Sequence, residues 1–291
     1  MFLRYLKSVF HHARYFPLWS ALTVFRWRAF DLRSRALGTT FGIVIRWFPL
    51  ARRRFLREAK RIFPDMSRYE RIILGQNMGR NMGRTLFEIY HQAEFQTFHQ
   101  KFKISGPGLA AIKEANSAGK GAIIVSGHFG QWESIRAVLK MHGLESGAVY
   151  KPHKNRHYER RMRAGIEEGG NPILATGHVG TRALVRHLRD GGIISILLDE
   201  KFAEGVRIPF LGIDALTSLS AAQLALKYDL PMIPAYGTRA DDKNEFHVEF
   251  ESPIPHTDSI TMTRIFNDSL SKKIMSKPEQ WYWMLKRWDG A

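Results

Sequence analysis

His128 is the residue in this chain best placed to do chemistry. It follows the apolar run Ile123–Ile124–Val125–Ser126 and stands between Gly127 and Gly130, in a turn that opens a helix near Gln131. Glu133 lies five residues further on, in the first turn of that helix, from which its carboxylate can come back toward the imidazole. A carboxylate on one ring nitrogen fixes the tautomer and stabilises the imidazolium, leaving the other nitrogen to take a proton from a hydroxyl. The helix N-terminus beside them supplies free N–H groups and the positive end of a dipole. The chain has no cysteine and no GxSxG turn, so the activated hydroxyl belongs to a substrate and not to the protein. A second apolar run, residues 193–198, leads into Asp199 and Glu200. If the two runs are parallel neighbours, His128 and Asp199 share the rim on which open α/β sheets bind their ligands.

The His-x4-Glu spacing carries little weight by itself. With 27 acidic residues and 12 histidines in 291, roughly one such pair arises by chance, and a structural histidine at a strand end satisfies the same count. His153 and His157, four apart on a predicted helix, leave a metal-dependent hydrolase open, although HExxH is absent.

The elements that must position these groups alternate along the chain. The pattern predicts helices at 67–97, 108–118, 131–141, 155–168, 179–189, 218–228 and 259–276. Strands are predicted at 122–126, 147–150, 173–175, 193–198, 232–236 and 245–250. Such alternation specifies an α/β fold: one open sheet, mixed or containing parallel strands, flanked by helices. The division expected is a basic helical arm at 1–64 and an α/β domain at 65–291.

Charge separates the arm from the rest. The formal net charge is +17, and residues 1–60 hold thirteen Lys and Arg against Asp31 and Glu58. That field attracts polyanions: nucleic acid, anionic lipid or an acidic protein. In the arm the cations are interleaved with Phe16, Trp19, Phe25, Trp27, Phe41, Trp47 and Phe48, the composition of a helix lying in a membrane interface. The longest uncharged run there, Tyr15–Phe25, is 11 residues, against the ~20 needed to cross a bilayer. Arginines also interrupt every candidate signal-peptide core.

Several stretches, in order, resemble the lysophospholipid acyltransferase superfamily and, within it, the bacterial late acyltransferases of lipid A biosynthesis. They are NMGRTLFEIY at 81–90, GHFGQWE at 127–133, VYKPHKN at 149–155, RMRAG at 161–165, LLDE at 197–200, IPFLG at 208–212, ALT at 215–217 and PEQWYWMLKRW at 278–288. The resemblance implies an acyltransferase that moves a fatty acyl chain from a thioester to a glycolipid hydroxyl without an acyl-enzyme, and needs no cofactor or metal. The thioester is carried by acyl carrier protein or coenzyme A. Lysophospholipids and amino-acid lipids are the alternative acceptors. His128 is then the general base, Glu133 its orienter and Asp199 a further catalytic acid. Arg163 would bind substrate, and N–H groups near Gly130 would receive the oxyanion. Phe129, Trp132 and Phe210 would line the acyl groove or belong to the core. The implied partners are an acidic carrier protein and anionic membrane lipids, with no nucleic acid, at the cytoplasmic face of the bacterial inner membrane. Arg26, Arg28 and Arg46 break the apolar anchor common in the family, which points to peripheral attachment.

Overall fold

The sheet forms where the sequence concentrates its apolar runs. The computed structural model describes residues 20, 23, 26–98, 101–240 and 245–289; Phe16, Trp19 and Phe25 of the predicted interfacial arm lie outside them. Along the chain, the first elements are α1 (Phe30–Trp47), α2 (Pro49–Ile62), α3 (Arg68–Tyr90), α4 (Gln92–Gln96), β1 (Phe102–Ser105) and α5 (Gly108–Ser117). The core follows with β2 (Ala122–Ser126), α6 (Glu133–Met141), β3 (Ser146–Tyr150), α7 (Arg156–Gly169), β4 (Ile173–Ala175) and α8 (His178–Arg189). Then come β5 (Ile193–Leu197), β6 (Val206–Phe210), β7 (Ile213–Thr217), α9 (Ser220–Tyr228), β8 (Met232–Ala240), β9 (Glu245–Phe250) and α10 (Ser259–Ser276).

Seven strands make one mixed open sheet in the order β1-β9-β8-β2-β5-β3-β4. All neighbours are parallel except β8 and β9. At its centre β2 is buried along its whole length, as a strand covered on both faces must be. Its side chains alternate: Ile123 and Val125 join the core that contains Phe266, Leu270 and Trp281, while Ala122 and Ile124 face Phe87 and Val138 on the other side. The α/β class, the six predicted strands and the parallel pairing of β2 with β5 all appear in this sheet.

Three features depart from the pattern reading. The predicted helix over 67–97 breaks at His91 into α3 and α4. β1 is too short, and too exposed at Lys103 and Ile104, to show an alternating signal. The hairpin β6–β7 turns on Leu211 and Gly212, both at positive φ. Leucine is a poor residue for that conformation, so the turn left no trace in a sequence read for Asn-Gly or Asp-Gly.

Helices α1 and α2 pack on α3. The capping box of α3 is explicit in the sequence: Ser67 Oγ accepts from the Glu70 amide, and the Glu70 carboxylate accepts from the Ser67 amide. Along α3, Gly75, Gly79 and Gly83 recur every four residues, and Gly38 and Gly42 do the same on α1. A Cβ at Gly83 would sit 2.8 Å from the Leu37 carbonyl oxygen, one at Gly79 2.9 Å from that of Phe41, and one at Gly38 2.6 Å from that of Arg80. The helices therefore approach backbone to backbone, and no larger residue fits at the crossing. Gly79→Val is expected to destabilise the protein by about 1–3 kcal/mol, read as a lower thermal unfolding midpoint; an unchanged midpoint would mean that the two helices separate at no cost.

Candidate active site

Strand pairing brings the site together. Ser126 on β2 stands opposite Leu197 on β5, so the residues just past the two strands, His128 and Asp199, meet on one rim. His128 Nδ1 lies 2.8 Å from Asp199 Oδ1. Asp199 Oδ2 accepts from the His128 amide at 2.7 Å and from Trp281 Nε1 at 2.8 Å. The carboxylate is fully buried, while the imidazole keeps 18% of its side-chain surface exposed.

The charges follow from this contact. Burial pushes the Asp199 carboxyl up, but the His128 charge and hydrogen bond, the Trp281 N–H and the His128 amide outweigh it and hold its pKa below the ordinary 3.8. Burial pushes the His128 imidazole down, and the Asp199 carboxylate, with a smaller contribution from Glu200, reverses that and raises its pKa above 6.5. With Nδ1 committed to Asp199, the proton-accepting position is Nε2.

Glu133 is placed differently from the expectation. Its carboxylate accepts from Arg136 Nη1 at 2.7 Å, and Arg136 also donates to the carbonyls of Ser146, Ile166 and Gly170. The pair is almost wholly buried. The group on the imidazole nitrogen is thus Asp199, because the β2–β5 register aims it there, whereas the helical turn after Gly130 directs Glu133 to its i+3 neighbour.

His128, Glu133 and Arg136 border one cavity of about 500 Å³ whose walls are otherwise largely apolar, with Leu86, Ile89, Trp132, Met162 and Ile166 among them. This volume falls within the range of small-molecule pockets, roughly 300–1,000 Å³. Trp132 lines it, edge-on to the imidazole with ring centroids 5.2 Å apart. Phe129 and Phe210 do not: both are core residues, Phe129 against Tyr236 and Phe210 against Trp281 and Trp288. Arg163 lies on α7 outside the lining, half-exposed, with Nε on Glu167 at 2.7 Å and Tyr150 beside it.

Gly130 shapes the turn rather than offering a donor. Its φ is +58°, and a Cβ there would collide with the Gly237 carbonyl. Its N–H is spent on the Gln280 carbonyl at 2.8 Å, and that of Gln131 on the Gly237 carbonyl at 2.7 Å. Among the described residues, no group of three or more His, Asp or Glu could hold a metal ion.

The residue that sequence reasoning missed is Trp281. Its tail segment runs against the turn that carries His128: Phe129 and Trp281 form an antiparallel bridge, and the Tyr282 amide donates to the His128 carbonyl. The signal was the run WYWMLKRW, in which Trp281, Trp283 and Trp288 are all buried.

A histidine backed by a buried carboxylate thus stands at the rim of a parallel-stranded region of the sheet, beside a largely apolar cavity. The family model of the bacterial lipid A biosynthesis acyltransferases matches residues 6–289, and the chain belongs to that family. It is therefore an acyltransferase. A search of curated proteins returned no match.

Removing the Asp199 charge leaves burial to dominate at His128. Asp199→Asn is expected to lower turnover by about 10²–10⁴-fold and to move the acidic limb of the kcat/KM profile to lower pH. The imidazole works as a base only when neutral, and its pKa falls once the carboxylate is gone. A limb that stays in place would detach Asp199 from the proton transfer.

Proposed function

We propose that the protein transfers a fatty acyl chain from an acyl carrier protein thioester to a hydroxyl of a lipid A precursor-like glycolipid, by general-base catalysis at His128. The observation that carries this reading is the imidazole held at Nδ1 by Asp199 on the wall of an apolar cavity.

In this reading the acceptor hydroxyl gives its proton to His128 Nε2 as its oxygen attacks the thioester carbonyl. Asp199 stabilises the imidazolium that forms. The tetrahedral intermediate collapses with cleavage of the C–S bond, and the departing thiolate takes the proton back from His128. Atoms and charge balance with no acyl-enzyme and no cofactor. The acyl chain occupies the cavity beside Leu86, Ile89, Trp132 and Ile166, where each buried methylene contributes about 0.8 kcal/mol.

Glu133 then acts at one remove, fixing Arg136 and with it the carbonyls at the end of α7. Arg163 holds Glu167 through Nε alone and its side chain is half-exposed, outside the cavity lining.

The N-terminal helices supply the surface for the lipid acceptor. Trp27, Trp47, Phe48 and Leu50 are exposed, at 71%, 68%, 60% and 88%, among the exposed cations Arg26, Arg28, Arg53 and Arg57. Among the described residues, no helix is long and apolar enough to cross a membrane. Rings at headgroup depth and cations on anionic lipid support peripheral attachment at the cytoplasmic face of the inner membrane.

Acyl transfer assayed in detergent micelles, from a series of acyl carrier protein thioesters to a panel of glycolipids and lysophospholipids, tests the reading. Wild type is expected to acylate the glycolipid and His128→Ala to lose transfer; equal product from both would remove His128 from the mechanism. Glu133→Gln is expected to lower the thermal midpoint, because Arg136 is left buried without its counter-charge, while the pH limb of the rate stays where it is. A limb moved by Glu133→Gln and not by Asp199→Asn would return the orienting role to Glu133.

A further inference from the structure

A second cavity, of about 370 Å³, shares no lining residue with the one beside His128. Its lining is entirely polar or charged, with Arg80, Arg84, Arg239 and Lys277 facing a single acid, Glu279. Arg239 is neutralised inside the protein, its two terminal nitrogens on the two oxygens of Glu88 at 2.9 and 2.7 Å. Arg84 is nearly buried, with Asp31 3.9 Å away. Arg80 reaches Asn77 Oδ1 only at 3.5 Å. Among the described residues, neither Arg80 nor Lys277 makes an ion pair. Arg80, Arg84 and Lys277 thus line one open recess with Glu279 as the only acid in its lining. Like charges gathered at a partly desolvated surface repel one another, and a bound anion relieves that repulsion.

We propose that this cavity binds a phosphate monoester. Such a group carries about −1.5 to −2 charges near neutrality. Guanidinium groups meet its oxygens with paired N–H donors, and Asn77 and Asn81 line the same space. The site is also wired to the catalytic turn. Asn81 Nδ2 donates to the Gln280 carbonyl at 3.2 Å and lies 3.5 Å from that of Gly130. The Gln280 carbonyl in turn receives the Gly130 amide. An occupant therefore rests on residues that set the backbone two positions from His128. The phosphate comes either from the headgroup of the acceptor lipid or from a free phosphorylated compound. Only the first source depends on the acyl-transfer reading.

The test uses the full chain and inorganic phosphate, titrated calorimetrically at constant ionic strength. Wild type is expected to bind saturably, and Arg80→Gln/Lys277→Gln to bind at least about tenfold more weakly, given the strength of hydrogen bonds to charged groups. Lys103→Gln/Lys113→Gln, which removes the same charge from exposed positions elsewhere, is expected to bind as wild type does. Thermal unfolding of each variant shows that it is folded. A second arm compares KM for a phosphorylated glycolipid acceptor with that for the same lipid after phosphatase treatment. A KM raised in Arg80→Gln/Lys277→Gln for the phosphorylated lipid alone identifies the headgroup as the source. Unchanged KM values with phosphate binding lost identify a free compound. Absence of saturable phosphate binding by wild type, or equal affinity in wild type and Arg80→Gln/Lys277→Gln, overturns the site.

Discussion

A buried carboxylate with three hydrogen bonds is the constraint on which the rest of this structure turns. Asp199 is removed from water, which is costly for an ion, and it stays charged because donors from two distant parts of the chain converge on it: the His128 ring and amide, and the Trp281 indole. Losing any one of them leaves part of that cost uncompensated. The sheet register, the His128 turn and the tryptophan-rich tail are therefore bound to a single geometry.

The other side of the turn is fixed by a second buried carboxylate. Glu88 on α3 holds Arg239 on β8 through two hydrogen bonds and also accepts from Gln131 and Ser34. Thr85, one turn earlier on α3, donates to the Gly130 carbonyl. The segment from His128 to Gln131 thus lies between Asp199 and Glu88, each carboxylate saturated by donors. A satisfied buried polar network of this kind specifies one arrangement where apolar packing alone would tolerate several. The network fixes the orientation of the His128 imidazole and the direction in which Nε2 points.

The sequence made the parallel pair β2–β5 and its rim legible because two apolar runs each ended in an ionisable residue, a pattern that survives without any knowledge of neighbours. It misdirected the choice of carboxylate. Local spacing favoured Glu133, whereas the contact that forms joins residues 71 apart, and only strand register reveals it. Gly75, Gly79 and Gly83 were legible as residue types, but their meaning depends on Gly38 and Gly42 lying opposite, which no local pattern encodes. Phe129 and Phe210 show the same limit, since an aromatic that lines a cavity and one that fills a core have the same composition. Trp281 was visible within a motif, yet its hydrogen bond to Asp199 is a matter of three-dimensional placement alone.

The tail that carries Trp281 has a consequence for the order of events during synthesis. It donates to Asp199, bridges Phe129 and binds the His128 carbonyl, yet it is made after every other member of the site. A nascent chain can pair β2 with β5 well before residue 281 emerges, and at that stage Asp199 lacks one of its donors. The complete set of donors to Asp199 therefore arrives with the closing segment of the fold rather than growing as the sheet assembles, so in a half-made chain on the ribosome the His128–Asp199 pair is not yet locked in its final geometry.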